Sequence, residues 1–105
     1  MIFGLEPQSI SIALILKKRN YTVDIISFDN KPSIKIPIGI GHQRIRNVDK
    51  YNFDFIDYFN SDSVICFCSD DINEEICELS LSTYGNKNVI VRINDHLKAD
   101  TFLSF

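Results

Sequence analysis

Between Ser63 and Cys68 the chain reads Ser-Val-Ile-Cys-Phe-Cys, an apolar run with no polar alternation. A strand wetted on one side would alternate with period two, so this run predicts a strand buried on both faces. Both faces are covered when helices lie above and below a sheet, as they do around parallel β-α-β units. That run points to the α/β class.

The other segments fit the same pattern. Met1-Ile2-Phe3-Gly4 is a short apolar run stopped by glycine and predicts a buried first strand. Pro7 to Arg19 predicts a helix. Pro7 suits a first-turn position, and Ile10, Ala13, Leu14 and Lys17 recur at helical spacing. Lys17, Lys18 and Arg19 stand at its carboxyl end, where cations are favoured, and Ile12, Ile15 and Leu16 widen the apolar face. After a turn at Asn20, Tyr21 to Phe28 is a second β-rich run, followed by turn material from Asp29 to Ser33. Ile34, Ile36, Ile38 and Ile40 alternate with Lys35, Pro37 and Gly39, which predicts a third strand that Pro37 confines to an edge. His42 to Asn60 crowds Tyr51, Phe53, Phe55, Tyr58 and Phe59 with Asp54 and Asp57, and is read as an irregular helix over the sheet. Beyond the Ser63–Cys68 strand, Ser69-Asp70-Asp71 offers a helix cap, with Glu74 and Glu75 in the first turn. Ile72, Ile76, Leu79 and Leu81 form the inner side of that helix, and Gly85 ends it. Val89 to Ile93 reads as a fifth strand and His96 to Phe105 as a final helix.

This order predicts a doubly wound, mainly parallel five-stranded sheet of spatial order 3-2-1-4-5, with a crevice where strands 1 and 4 diverge. The helix between strands 2 and 3 is reduced or absent, because only Asn30 to Ser33 separate them. A response-regulator-like domain would need an acidic pair after strand 1 and an aspartate closing strand 3. Gly4-Leu5-Glu6 and Gly39-Ile40-Gly41 supply neither.

Length and charge narrow the functional classes. A chain of 105 residues, 45% hydrophobic and 24% charged, forms one domain with one core. It has no apolar run of membrane-spanning length and no secretory-signal layout at its start. Whether it is a whole chain or a piece of a longer one stays open. Residues 51–86 carry eight acidic residues and no Lys or Arg, which argues against nucleic acid as a partner there. Lys17 to Arg19, Arg44 and Arg46 lack aromatic interleaving and read as solvated positions. Three cysteines do not make a disulfide scaffold; Cys66 and Cys68 fall on one face of a strand as small core or rim residues.

The loop after strand 1 bears on the ligand. In dinucleotide-binding domains this turn reads G-x-G-x-x-G, for the turn, the close approach of pyrophosphate and helix packing. Here it is Gly4-Leu5-Glu6-Pro7-Gln8-Ser9. The first glycine is kept, and Ser9 is small enough for the packing role. Glu6 puts a carboxylate where a diphosphate would lie, and Pro7 removes an amide donor. A carboxylate is favourable at a helix amino end, so Glu6 or its neighbours are expected to fill the anion position from within. At the end of strand 2, where an acid would hold the ribose hydroxyls, stands Ser27, with Asp29 two residues on.

The second half resembles one family. Ser61 to Glu74, followed by Asn88 to Asp95, looks like the amino-terminal nucleotide-binding domain of TrkA-type potassium-uptake regulators, also called KTN or RCK domains. Cys68 sits at that family's small hydroxyl position and Ser69 at the polar position after it. Asp70 and Asp71 match an acidic pair, Glu74 replaces an asparagine, and Arg92 and Asn94 match the end of strand 5. Gly4 matches the first loop glycine, and Gly41-His42 resembles the step after strand 3 that lies near the adenosine. The resemblance implies a Rossmann-like fold and a cytoplasmic, non-catalytic regulatory domain. It also implies binding of NAD(H) or an adenine nucleotide, and assembly as dimers or rings with a potassium channel or transporter. The residues it implies around a ligand are Gly4, Leu5, Glu6, Ser9, Ser27, Asp29, Gly41, His42, Cys68, Ser69 and Arg92.

An enzymatic role finds little support. His42 and His96 are the only histidines and are far apart in sequence, and no Cys-His set has metal-ligand spacing. Hydride transfer would need a substrate domain for which the length leaves no room. Two readings stay open: a regulatory domain that senses a nucleotide, and a scaffold or dimerisation domain that has lost it. The aromatic group from Tyr51 to Phe59 is either core or part of a dimer face.

Overall fold

The structure, a computed structural model, describes residues 1–28, 34–45, 62–83, 85 and 88–103. The strands are β1 (Ile2–Phe3), β2 (Asp24–Ser27), β3 (Gly41–Arg44), β4 (Val64–Cys66) and β5 (Val89–Val91). The α-helices among these residues are α1 (Pro7–Lys18), α2 (Asp70–Glu78) and α3 (Ala99–Leu103). A π turn, Leu79–Thr83, follows α2, and a 3-10 turn, His96–Lys98, precedes α3. The strands form one sheet in the order β3-β2-β1-β4-β5, and every neighbouring pair is parallel. This is a doubly wound, Rossmann-like α/β fold, with its order change between β1 and β4.

Parallel strands buried on both faces need apolar residues of both parities, and the sheet divides them between two layers. Ile2 and Ile25 pack with Ala13 of α1, flanked by Ile10, Ile12, Leu16 and Ile65. Phe3, Ile26, Val64 and Cys66 pack with Ile76 of α2 and with Leu79. The β4 run thus sends Val64 and Cys66 to one helix layer and Ile65 to the other, as a two-faced strand must.

The helix ends follow local chemistry. The Tyr21 amide donates to the Leu16 carbonyl at 3.1 Å and the Asn20 amide to the Lys17 carbonyl at 3.0 Å, which closes α1 with a Schellman motif. Asn20 adopts φ 68° to make it, a left-handed conformation that asparagine tolerates better than most residues. Ser69 caps α2 by accepting from the Ile72 amide. Gly85, with φ 70°, stands just beyond the π turn, as expected of a glycine ending that helix.

The isoleucine alternation of 34–40 is not a strand. The Ile40 amide donates to the Pro37 carbonyl at 3.3 Å, and Gly39 takes φ 88°, so the segment turns. Ile36 and Ile40 pack beside α1's layer, whereas Ile38 is 96% exposed. The third strand begins one residue later, where the Gly41 amide meets the Val23 carbonyl at 3.0 Å. Gly41 to Arg44 therefore form the edge strand, and the helix expected to start at His42 does not begin there. No helix lies between β2 and β3 among the described residues. In α1 the close approach to the sheet is made by Ser9 and Ala13, both fully buried, while Leu14 and Ile15 are 41% and 52% exposed. The strands are also shorter than the apolar runs: Tyr21 to Val23, Phe67 and Ile93 lie beyond the strand ends. The aromatic group from Tyr51 to Phe59 lies outside the described residues.

Candidate functional site

The carboxyl ends of β1, β4 and β5 meet the amino end of α1, and the loop from Gly4 to Ser9 forms the floor. Gly4 has φ 104°, and a side chain there would come within 2.8 Å of the Phe67 backbone. Only glycine satisfies both the torsion and this approach of β1 to β4. Its amide extends the ladder to the Ile26 carbonyl at 2.7 Å. Leu5 turns into the α1 layer. Glu6 is the N-cap residue in extended conformation, and Pro7 follows as the first helical residue. The Glu6 amide donates to the Ser9 hydroxyl at 3.2 Å, so fully buried Ser9 both packs the helix down and ties the loop.

The Glu6 carboxylate meets Arg92, which follows the last residue of β5. Arg92 donates to it through both terminal nitrogens: Nη2 reaches Oε1 at 3.0 Å, and Nη1 pairs with Oε2. Nη1 also donates to Gln8 Oε1 at 3.0 Å, Nη2 to the Phe67 carbonyl at 3.3 Å, and Nε to Asn94 Oδ1 at 2.9 Å. The guanidinium carbon lies 5.5 Å from the centroid of the Phe67 ring. The hydrogen bond to Glu6 holds the guanidinium above its ordinary pKa. A planar fork serving a carboxylate, two side-chain amides, a carbonyl and an aromatic face uses nearly all the recognition capacity of an arginine. Here it is spent within the chain.

A second cluster supports the first. Asn73, fully buried on α2, accepts from the Cys68 amide at 2.9 Å and donates to the carbonyls of Cys68 at 3.0 Å and Arg92 at 3.1 Å. One side chain thereby joins the ends of β4 and β5. Asn94 Nδ2 adds a bond to the Cys68 carbonyl at 2.9 Å. Asp70 accepts from the amides of Asn94 and Asp95, each at 2.8 Å, and the bond from Asn94 lowers its carboxyl pKa most. The Asp95 carboxylate then caps the 3-10 turn through the Leu97 amide at 3.0 Å. Asp70 thus serves as a clasp for the loop after β5, and Ser69 as the cap of α2.

The structure gathers Gly4, Glu6, Ser9, Cys68 and Arg92 at one end of the sheet, with Ser69 at the helix start behind them. The other expected positions are arranged differently. Gly41 opens β3 opposite Asp24 and so lies toward the amino ends of the strands, away from the crevice. His42 pairs with Ile25 inside β3 rather than following it, because the strand starts later than the isoleucine pattern indicates. Its Nε2 lies 2.8 Å from the Ser27 hydroxyl, and Ser27 is buried, so that hydroxyl already has a partner. Asp29 lies outside the described residues. Gln8, Phe67 and Asn73 join the site without having been singled out. The signal for Asn73 was an amide side chain three residues from Ile76 on the face of α2 that packs inward.

Reactive groups at this end are subdued. Burial and the nearby Glu6 charge push the Cys68 thiol up to about 12, with Arg92 opposing them, so it is protonated at neutral pH. Cys66 lies buried in β4, where a hydrogen bond with Cys77 and burial raise its pKa. No group of three or more His, Cys, Asp or Glu residues suited to a metal ion occurs among the described residues. None of their helices is long and apolar enough to cross a membrane. Beside the ion pair, a groove of about 440 Å³ runs between Pro7, Gln8, Ser11 and Ile12 of α1 and Phe67 and Arg92 of the sheet. Set against known proteins, the chain matches no family model and no curated protein.

Proposed function

We propose that this chain is a non-catalytic assembly domain of the doubly wound class whose phosphate position is filled by its own Glu6 carboxylate. The observation that carries this reading is the bidentate Glu6–Arg92 pair at the amino end of α1. A dinucleotide's pyrophosphate would need that helix terminus bare. Here it meets a negative charge, a proline without an amide hydrogen, and an arginine already neutralised. On the resemblance to potassium-uptake regulators, the domain would act in the cytoplasm as part of a homo-oligomer, or on a membrane channel or transporter.

A second reading, a domain that still senses NAD(H) or an adenine nucleotide, is favoured by the groove beside Arg92 and the aromatic Phe67. A phosphate would then have to take Arg92 from Glu6. Calorimetric titration with NAD, NADH, ATP, ADP and AMP separates the two readings. The assembly reading expects no binding by the unmodified chain and a gain in Glu6→Gly, which removes the carboxylate and bares the helix start. Micromolar binding by the unmodified chain would overturn it.

A further inference from the structure

The turn that precedes β3 projects one apolar side chain into water. Ile36 and Ile40 pack into the α1 layer, but Ile38 between them is 96% exposed. A single exposed isoleucine is ordinary, and it is the neighbours of this one that carry information. Lys17 reaches from the last turn of α1 and donates to the Ile38 carbonyl. Its ammonium fills the space where a side chain at residue 39 would stand, which Gly39 leaves open. A cation is thereby fixed beside the apolar tip. Lys18 and Arg19 follow directly, and Lys35 stands three residues before Ile38. All three are exposed, and their side chains have no ion-pair or hydrogen-bond partner among the described residues. Tyr21, whose amide helps close α1, is 57% exposed at the same corner. Acids are nearly absent from it. Residues 34–45 contain none, and residues 7–28 contain only Asp24, whose carboxylate lies against Gly41.

We infer that this corner docks on an anionic lipid bilayer, with Ile38 entering the headgroup layer and Lys17, Lys18, Arg19 and Lys35 resting on its negative surface. The occupant follows from the combination of groups. A nucleic-acid backbone would answer the cations and leave Ile38 in water. An apolar protein groove would take Ile38 and leave the cations without counter-charge. An anionic bilayer carries negative charge at its surface and hydrocarbon directly beneath, the order that an isoleucine tip set among cations requires. A tyrosine, apolar in its ring and polar at its hydroxyl, suits the boundary between the two. The attachment is peripheral and reversible, because it rests on a few charges and one inserted aliphatic side chain. It goes beyond the assembly reading and is tested apart from it. The docking corner lies at the carboxyl end of α1, and the Glu6–Arg92 pair lies at the amino end.

The test is co-sedimentation of the 105-residue chain with phosphatidylcholine vesicles, prepared with and without phosphatidylserine. Partition onto the serine-containing vesicles is expected, weaker partition onto phosphatidylcholine alone, and a decline as added salt screens the charges. Lys18→Ala and Lys35→Ala should each weaken partition about fivefold, the worth of one cation near an anionic surface. Ile38→Ser should weaken it about tenfold through lost apolar burial. These side chains are exposed, so far-UV circular dichroism should stay unchanged in all three variants. The chain has no tryptophan, so Ile38→Trp places a single indole at the tip. Its emission should shift to shorter wavelength on the serine-containing vesicles. No partition, equal partition onto the neutral vesicles, indifference to the Ile38 and lysine variants, or an unshifted indole in the bound chain would overturn the inference. So would binding to polyglutamate without binding to vesicles, which would make an acidic polypeptide the occupant.

Discussion

Asn73 shows how one residue can carry more than its size suggests. Its amide is fully buried and makes three hydrogen bonds, two to Cys68 and one to Arg92. Replacing it with alanine would leave a buried amide and carbonyl wanting and open a small void. Each bond is worth roughly 1 kcal/mol net, with more lost where a partner stays unsatisfied, so Asn73→Ala should cost about 2–4 kcal/mol. Urea denaturation would read this as a lower midpoint with an unchanged slope. Asn73→Asp should not rescue it, since a carboxylate would face two carbonyl oxygens. By contrast, the Glu6–Arg92 pair is half-exposed, at 37% and 29%, and should contribute no more than about 1 kcal/mol to stability. Its importance lies in what it occupies.

Among the elements, the start of α2 and the loop after β5 depend on each other through Asp70. The amides of Asn94 and Asp95 donate to this carboxylate and lower its pKa in the folded state. The sign is fixed by that direction. The contribution is complete above the unfolded carboxylate value, about 4, and is lost as pH falls through the lower folded value. Stability measured from pH 7 down should therefore show an acid limb that Asp70→Asn flattens. Chemical shifts of the Asn94 and Asp95 amides should titrate with it in the unmodified chain. An acid limb unchanged in the variant would show that other carboxylates carry it.

At the scale of the molecule, β1 is the pivot. It contributes Ile2 to one helix layer and Phe3 to the other, both fully buried, and it pairs with β2 and β4. Burying two such side chains is worth about 3–6 kcal/mol, against a total stability of about 5–15 kcal/mol for a domain. Deleting residues 1–3 also splits the sheet between β2 and β4. The shortened chain should therefore lose its cooperative thermal transition and its near-ultraviolet dichroism. Retention of both would mean that the two halves of the sheet fold without their centre.

Much of the fold was legible along the chain. The two-faced β4 run, the glycine after β1, the serine cap of α2 and the asparagine after α1 are local, and each reflects burial parity or backbone preference over a few residues. The altered loop was legible for the same reason: a glutamate and a proline in place of glycine change what a backbone can offer wherever it folds. Strand 3 was not legible. A turn built by Pro37 and Gly39 imitates strand alternation, while the true edge strand is polar because His42, Gln43 and Arg44, on both of its faces, are exposed. The site was half legible. Glu6 announced a charge at the helix start, but its partner Arg92 stands 86 residues away, joined to it only when β5 packs beside β4. Local sequence thus determined the elements and the chemistry of the loop. Tertiary structure alone decided which charges and amides meet, because parallel pairing brings together residues with no sequence proximity.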